Sequence, residues 1–253
     1  MKIKQYRAGA NILSDKIIAV TGAGDGIGRA MAKAFASQGA TVILMGKTVE
    51  KLEGVYDEIV NAQWPQAAII PIDFERAVDE DYLSVAQAIN ESFDRVDGLL
   101  HNASILGDRT PIHNYQSSVW HRVLQVNLNA PFMLTKAVLP LLKQAPNASV
   151  IFTGSSVGLK GRAYWGAYGI SKAATENLMQ ILADELEEVS RIRVNSINPG
   201  ATRTQMRADA YPAEDPATVK TAESLVPLYT YLLADDSKDI TGQQFNGNDY
   251  ANK

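Results

Sequence analysis

IIAVTGAGDGIG, residues 17–28, is the stretch that decides the fold of this chain. Ile17–Val20 is an apolar run of strand length that closes at Thr21. Four spaced glycines follow, and an apolar pattern of helical period runs from Ile27 to Phe35. A buried strand, a tight glycine turn and a helix in this order predict the first unit of an alternating β-α chain.

The same alternation recurs along the 253 residues. Further strands are predicted at Thr41–Met45, Ala68–Ile72, Gly98–Leu100, Ser149–Thr153, Ile192–Ile197 and Gln243–Asn246. Further helices are predicted after Thr48 as N-cap and at Leu83–Phe93, Val119–Leu142, Ala167–Val189 and Leu225–Leu233. Continuous apolar strands are typical of a parallel sheet covered on both faces. We therefore expect an α/β protein with a single doubly wound parallel sheet (Rossmann fold) and helices on both faces.

No composition break, repeat or linker divides the chain, so residues 1–253 are predicted to form a single domain. Within it, the polar segment 203–221 carries Pro212 and Pro216 and is predicted to be a mobile substrate loop. In the helix Ala167–Val189, the apolar residues are predicted to form one stripe. Its members are Ala174, Leu178, Ile181, Leu182 and Leu186.

Composition excludes several classes of function. The chain has no cysteine, which excludes thiol catalysis and disulfides. Its three histidines lack metal-ligand spacing, so no metal site is predicted. A net charge of −4 argues against a nucleic-acid partner. No apolar run is long enough for a membrane span and no signal peptide is predicted, so we expect a cytoplasmic protein without a membrane partner.

The glycine turn has the spacing T-G-x-x-x-G-x-G over Thr21–Gly28. Glycines allow the backbone to approach a pyrophosphate, and the start of the following helix presents N–H groups. The common pattern G-x-G-x-x-G would need a glycine where this chain has Ile27, and a bare glycine turn is often only a turn. The strand before it and the helix after it favour a dinucleotide site. The candidate residues are Gly22, Gly24, Asp25, Gly26, Ile27 and Gly28.

The end of the second strand favours NADP over NAD, although NAD remains possible. NAD enzymes of this architecture often place an acid there for the ribose 2′-hydroxyl. Neither Gly46 nor Lys47 is acidic, and Lys47 could bind a 2′-phosphate. Glu50 lies inside the next helix, where a solvated role is the expectation, and Asp25 adds an unfavourable charge near the phosphates.

Tyr168 stands four residues before Lys172, and Ser155 stands thirteen before Tyr168. A phenol and an amine at this spacing share one helix face. An ammonium beside a phenol is expected to lower the pKa of the phenol, which suits proton transfer to a substrate oxygen near neutral pH. Ser155 could hold the same oxygen. Alone, the Tyr/Lys pair could equally be an aromatic packed against a snorkelling lysine.

Taken together, these motifs resemble the short-chain dehydrogenase/reductase family, and Ser155–Ala210 resembles its bacterial YciK-type subgroup. The motifs follow one another as Thr21–Gly28, Asn127, Ser155, Tyr168, Lys172 and Pro199-Gly200. The resemblance implies that Tyr168 is the catalytic acid/base and that Lys172 lowers its pKa and binds the nicotinamide ribose. It implies that Ser155 orients the substrate carbonyl and that Asn127 holds a water in a proton relay.

The resemblance also implies cofactor contacts outside the glycine turn. Asp73 is expected at the adenine, Asn102 and Ala103 along the cofactor, and another group at its nicotinamide end. That group is Pro199, Gly200, Thr202 and Thr204. Asp73 could instead be a helix cap, Asn127 could bridge backbone groups, and Ser156 competes with Ser155.

Two departures from the family pattern are visible in the sequence. The usual Asn-Asn-Ala-Gly reads His101-Asn102-Ala103-Ser104, which puts a side chain close to the expected cofactor. Serine is harmless there if the backbone suits a non-glycine residue, and otherwise the cofactor pose changes. The C-terminal Gly247-Asn248-Asp249 also lacks the Asp-Gly-Gly that is often found in the family.

The resemblance implies an oxidoreductase that transfers a hydride between NADP(H) and a carbonyl or secondary alcohol of a small molecule. A non-catalytic NAD(P)-binding sensor or scaffold, or an epimerase or dehydratase, are the alternatives. Tyr164 and Trp165 could line an apolar pocket, and Arg203 and Arg207 could bind an acidic substrate. The two long helices could pack between subunits of a homodimer or homotetramer, as in the family, or face the sheet.

Overall fold

Seven short apolar segments form one sheet in the computed structural model, which describes residues 6–250. The strands are β1 Ile17–Thr21, β2 Thr41–Gly46, β3 Ala68–Pro71, β4 Gly98–His101, β5 Ser149–Thr153, β6 Arg193–Asn198 and β7 Gln244–Asn246. Their order is β3-β2-β1-β4-β5-β6-β7, and every neighbouring pair is parallel. The predicted parallel sheet is confirmed, with boundaries within one residue of those expected.

Helices cover both faces of the sheet, as predicted. They are α1 Gly26–Ser37, α2 Val49–Asn61, α3 Asp79–Phe93, α4 Ser117–Leu124, α5 Ala130–Gln144, α6 Ser156–Leu159, α7 Gly166–Glu187, α8 Gln205–Ala210 and α9 Val226–Leu233. Side chains alternate along each strand, so Ile18 and Val20 join a core beneath α1, α2 and α9. Ala19 joins the opposite core beneath α3, α5 and α7.

The strand order reverses between β1 and β4. After β3 the chain crosses to the other side of β1, so consecutive connections lead away from each other at that point. Ligands of open parallel sheets bind in the crevice that such a reversal leaves at the carboxyl ends of the strands. In this chain, the glycine turn after Thr21 and the segment after His101 border that crevice.

The predicted helix Val119–Leu142 is interrupted. Helix α4 runs into a π-helical turn at Gln125–Asn129, and α5 begins directly after it. Pro131 lies in the first turn of α5, directly after the π turn, whereas Pro140 lies inside the helix. The π turn carries Asn127, and such turns are frequent at functional sites.

The apolar stripe of α7 is only partly buried. Ile181 is 49% exposed, and Ala174, Leu178 and Leu182 are half-buried, while Leu186 is buried. The buried face instead carries polar side chains, which apolar periodicity does not detect. The buried residues of α7 are Ala167, Tyr168, Gly169, Ser171, Lys172, Thr175, Glu176, Met179, Ala183 and Leu186.

The segment 203–221 contains local structure. Helix α8 occupies its first half, a 3₁₀ turn lies at Pro216–Thr218, and Thr202 pairs with Lys220 at its base. Within residues 6–250, no helix is long and apolar enough to cross a membrane. The same part of the chain holds no cluster of three or more histidine, aspartate or glutamate side chains suited to a metal ion.

Candidate active site

A cavity of about 680 Å³ opens at the carboxyl ends of the strands, where the sheet reverses its order. Most residues singled out from the sequence line it, including both the glycine turn and the Ser/Tyr/Lys set. The lining members are Gly22, Gly24, Asp25, Gly26, Ile27, Lys47, Asp73, Asn102, Ala103, Ser155, Tyr168, Lys172, Pro199, Gly200, Thr202 and Thr204. Gly28 and Asn127 are not among the lining residues and lie behind the cavity wall.

The glycine turn needs its glycines for two different reasons. Gly22 and Gly26 have φ values of +67° and +51°, which L side chains rarely adopt. Gly28 packs so closely on the turn that a Cβ there would collide with the carbonyl oxygen of Gly22. Ile27, at the position where the common pattern has glycine, packs against the apolar core of α1.

Asp25 is the N-cap of helix α1, and its charge is compensated by Lys51, a residue that sequence reasoning missed. Its Oδ1 accepts a 2.7 Å hydrogen bond from the N–H of Gly26, and Oδ2 is bound by the ammonium of Lys51. The hydrogen bond from Lys51 is the main reason why the pKa of Asp25 lies below its usual value. The negative charge expected to oppose phosphate binding is therefore compensated. Lys51 also lines the cavity.

The end of β2 presents one cation, Lys47, and no acid to the cavity. Lys47 is exposed and lines it, whereas Glu50 lies in the first turn of α2 and is not a lining residue. Asp73 follows β3 and accepts a 3.1 Å hydrogen bond from the N–H of Glu75, which closes a local turn. Helix α3 begins six residues later at Asp79, so Asp73 is not its cap.

Thr21 fastens the glycine turn to the segment after β4. Its hydroxyl donates to the carbonyl of Leu100 at 3.2 Å and accepts from the N–H groups of Asn102 and Ala103 at 2.9 and 3.0 Å. The Asn102 side chain donates back to the carbonyl of Thr21 at 3.3 Å. Thr21 was part of the motif but was not singled out as a site residue; its position at the end of β1 was the available signal.

Tyr168 is buried beside two serine hydroxyls. Burial raises the pKa of its phenol, and interactions with Ser155 and Ser104 partly lower it. The net shift is opposite to the one expected from Lys172, because burial outweighs the favourable charge: Nζ lies 5.7 Å from the ring centroid and donates to another acceptor. Ser155, and not the exposed Ser156, is the serine that affects the phenol.

Ser104 does not strain the backbone. Its φ is not positive, so the backbone at this position suits a residue other than glycine. Its side chain is half-buried and lines the cavity beside Tyr168. The departure from the family pattern therefore adds a hydroxyl to the site and leaves the main chain in an ordinary conformation.

Lys172 is 4% exposed, and its Nζ donates a 2.8 Å hydrogen bond to the carbonyl oxygen of Thr153. Burial lowers the pKa of Lys172 to about 8, while the charge of Glu176 acts in the opposite direction. His101 is also buried, and desolvation followed by the nearby Lys172 lowers its pKa to about 3. His101 is therefore neutral near pH 7, and its Nε2 lies 2.8 Å from the hydroxyl of Thr135.

Asn127 uses its side chain to position neighbouring segments. Its Oδ1 accepts from the N–H of Ile105 at 2.8 Å, and its Nδ2 donates to the carbonyl of Ile105 and to Ser171 Oγ, both at 3.0 Å. Its carbonyl accepts a 3.1 Å hydrogen bond from Thr175. The bridging alternative considered from the sequence is thus present, between the segment after β4 and helix α7.

The turn after β6 forms another wall. Gly200 has a φ of +69°, and the buried Thr202 donates weakly to the carbonyls of Pro199 and Gly200 at 3.3 and 3.4 Å. Thr204 is the N-cap of α8 and accepts a 3.1 Å hydrogen bond from the N–H of Arg207. Asn248, where the family pattern has glycine, also lines the cavity and accepts a hydrogen bond from Lys220.

An aromatic clasp, formed by Arg109, Trp165 and Tyr211, borders the cavity beyond Tyr168. The Arg109 guanidinium lies 4.5 Å from the Trp165 ring centroid and 5.1 Å from that of Tyr211, and it donates to the carbonyl of Ala210. Trp165 and Tyr211 line the cavity. The clasp therefore joins three separate segments: the one after β4, the one before α7 and the segment 203–221.

Arg203 and Arg207, the two arginines considered for an acidic substrate, both hydrogen-bond to groups within the segment 203–221. Arg207 makes two 2.6 Å hydrogen bonds to Glu214, and Arg203 donates to main-chain carbonyls of the same segment. Tyr164 is 54% exposed and does not line the cavity, in contrast to Trp165. The substrate end of the cavity therefore carries aromatic and apolar side chains; Arg207 there is paired with Glu214, and Arg162 is a further charged lining residue.

The donor set suits a dinucleotide that carries a 2′-phosphate. At one end, the glycine turn and the N-terminus of α1 can bind phosphate groups, and Lys47 and Lys51 lie near them. At the other end lie a phenol, a serine hydroxyl and an ammonium, which can exchange a proton with a substrate oxygen and hold polar groups of a ribose.

Comparison with known proteins gives a consistent assignment. The family model described as short chain dehydrogenase matches residues 16–215. The uncharacterized oxidoreductase YciK of Escherichia coli K12 is 49% identical over 241 residues, which cover 95% of each chain. A short chain dehydrogenase of Salmonella enterica serovar Typhi superposes with a TM-score of 0.94 at 48% identity, covering 96% of this chain and 99% of the other. A Shigella flexneri 2a structure, complexed with NADP, has a TM-score of 0.93 at 48% identity and coverages of 95% and 100%.

Proposed function

The chain belongs to the short-chain dehydrogenase family, and from that membership we propose that it transfers a hydride between NADP(H) and a carbonyl or secondary alcohol. One observation carries the proposal: Ser155, Tyr168 and Lys172 line the same cavity as the glycine turn. A nucleotide-binding turn and a proton-transfer group in one cavity are what a nicotinamide-dependent reduction requires.

Three residues divide the chemistry of the reduction. Ser155 donates a hydrogen bond to the substrate oxygen and holds it beside Tyr168. The Tyr168 hydroxyl gives its proton to that oxygen while the carbonyl carbon accepts a hydride, so that C=O becomes H–C–O–H. Bound NADPH supplies that hydride. Lys172 holds the ribose and favours the phenolate that proton transfer leaves behind; oxidation of an alcohol is the reverse.

NADP is the proposed cofactor, with Gly22, Gly24, Asp25, Gly26, Ile27 and Gly28 along its pyrophosphate. Lys47 binds the 2′-phosphate, Asp73 the adenine, and Asn102 and Ala103 the middle of the cofactor. The nicotinamide end is held by Pro199, Gly200, Thr202 and Thr204. Lys47 at the end of β2, Lys51 on α2 and the NADP in the Shigella flexneri structure support this choice. Asn127 is proposed to act behind the cavity wall, where it positions Ile105 and contributes to a proton relay through water.

A second copy of this chain is the proposed protein partner, in a homodimer or homotetramer. Apolar side chains on the two long helices support it: Phe132 on α5 and Ile170 and Ile181 on α7 are each about half exposed, at 49%, 47% and 49%. Gel filtration with light scattering measures the oligomeric state. The cytoplasmic location and the single-domain organisation stay predictions.

A panel of carbonyls and secondary alcohols, assayed with NADPH and with NADH, tests the proposal. We expect turnover of at least one apolar carbonyl or alcohol, with NADPH and NADP as the better cofactors. Tight NADPH binding without turnover across the panel would favour the alternative of a non-catalytic sensor.

A further inference from the structure

Glu176 is a buried carboxylate that no step of the proposed reaction uses. It lies one helical turn after Lys172 on the buried face of α7 and is only 5% exposed. Its Oε2 accepts a 2.6 Å hydrogen bond from Ser196 on β6. Its Oε1 is buried and has no hydrogen-bond partner among the described residues. A half-satisfied buried carboxylate is costly, so its presence calls for a compensating charge.

The main chain makes room for this carboxylate next to Lys172. A Cβ on Gly154 would collide with Oε1 of Glu176, so glycine at this position allows the approach. Gly154 directly follows Thr153, whose carbonyl oxygen accepts the hydrogen bond from Lys172. The carboxylate and the ammonium therefore lie against consecutive residues at the end of β5.

The other titratable groups around Lys172 carry no negative charge near pH 7. Burial raises the pKa of Tyr168 on the same helix, and it lowers the pKa of His101 on β4 to about 3, so both are neutral. Strand β5 contributes the carbonyl of Thr153, and β6 contributes the hydroxyl of Ser196. The carboxylate of Glu176 is the charge that opposes the desolvation of Lys172.

We propose that Glu176 is the buried counter-charge of Lys172, a positioning residue that keeps the ammonium charged and directed to the end of β5. This inference rests on the proposed function in one respect: it takes Lys172 to have a role in the reaction. Without the carboxylate, a lysine in this environment would lose its proton at lower pH, since burial disfavours the charged form. The ammonium would then be absent over part of the range in which the reaction is proposed to run.

The pKa of Lys172 in the whole protein tests the proposal without any assay of turnover. Protein labelled with ¹³C at lysine Cε is titrated by NMR, and the Lys172 signal is identified by its loss in Lys172→Met. In Glu176→Gln we expect the Lys172 pKa to fall by about one unit or more, the size of shift that a nearby opposite charge produces. Glu185→Gln, at an exposed position on the same helix, is expected to leave it unchanged.

An unchanged Lys172 pKa in Glu176→Gln, or an equal fall in Glu185→Gln, overturns the proposal. If Glu176→Gln does not fold, Lys172 is titrated in Glu176→Asp, whose shorter side chain draws the carboxylate away from the end of β5. We expect the Lys172 pKa to fall in this variant too. An unchanged Lys172 pKa in Glu176→Asp overturns the proposal as well. Loss of turnover in the carbonyl panel, with these titrations as expected, would count against the reaction and not against Glu176.

Discussion

The ammonium of Lys172 donates a 2.8 Å hydrogen bond to the carbonyl oxygen of Thr153, the last residue of β5. This bond fastens the buried face of α7 to the carboxyl end of the central sheet. Ser155 lies only two residues beyond Thr153, so the same bond helps to bring the serine hydroxyl to Tyr168. Lys172 and Tyr168 on α7 are thus linked to Ser155 through the main chain at the end of β5.

Lys172 should make stability depend on pH between about 8 and 10. Its pKa is about 8 in the folded protein and has the ordinary lysine value of 10.5 when unfolded. Between these values the unfolded chain binds more protons, so raising the pH stabilises the folded state, and this gain is lost as pH falls through 8. Chemical denaturation should show the parent protein gaining stability relative to Lys172→Met across this window. A constant difference between the two would contradict the pKa.

Lys47 should determine the preference for NADPH. We expect Lys47→Ala to weaken NADPH binding about tenfold or more, equivalent to roughly 1.4 kcal/mol, and to leave NADH binding almost unchanged. Fluorescence titration of the bound nicotinamide measures both. Glu50→Gln is the control, because Glu50 lies close in sequence but outside the cavity lining. Equal weakening of NADPH and NADH would show that Lys47 does not contact the 2′-phosphate.

Ser104→Gly should raise the pKa of Tyr168, because it removes one of two hydroxyls that favour the phenolate. The pH profile of kcat/KM for alcohol oxidation, which needs the phenolate, should then move to higher pH. Ser156→Ala, at an exposed neighbouring serine, should leave the profile in place. A shift to lower pH in Ser104→Gly would contradict the assigned interaction.

Arg109→Ala should release the segment 203–221. Two cation–π contacts of about 0.5–1 kcal/mol each are lost with the guanidinium, together with its hydrogen bond to Ala210. Opening of the segment should become roughly 5–30-fold more frequent, which corresponds to one or two kcal/mol. Hydrogen exchange over residues 203–221 measures this. Arg191→Ala, at an exposed arginine, is the matched control. Similar exchange in both variants would show that the aromatic clasp does not hold the segment 203–221 in place.

Local sequence patterns were sufficient for the strands and the sheet. Continuous apolar runs and the glycine turn after Thr21 identify a parallel doubly wound sheet, because few other folds bury such strands on both faces. On α7 the same patterns do not identify the buried face, because the most apolar stripe, around Ile181, is partly exposed. The side of this helix that faces the sheet carries Lys172 and Glu176, and periodicity of apolar residues cannot detect a buried polar face.

The site was predictable where its residues belong to a short motif, and not where they meet only through the fold. Lys51 reaches Asp25 from the next helix, and Arg109 meets Tyr211 from more than a hundred residues away. No sequence spacing encodes such pairs. The direction of the Tyr168 pKa was wrong for a related reason: the spacing to Lys172 predicts proximity, whereas burial and the carbonyl of Thr153 decide the electrostatics.

Turnover of Tyr168→Phe beside the parent protein, on the substrate that the carbonyl panel identifies, tests the central claim most directly. The phenol alone is removed, so we expect kcat to fall by about 10²–10⁴-fold, the usual contribution of a general acid, with NADPH binding retained. Tyr164→Phe, at an exposed tyrosine outside the cavity, should keep full activity. Full turnover in Tyr168→Phe, at the same pH and with the same cofactor, would contradict the account.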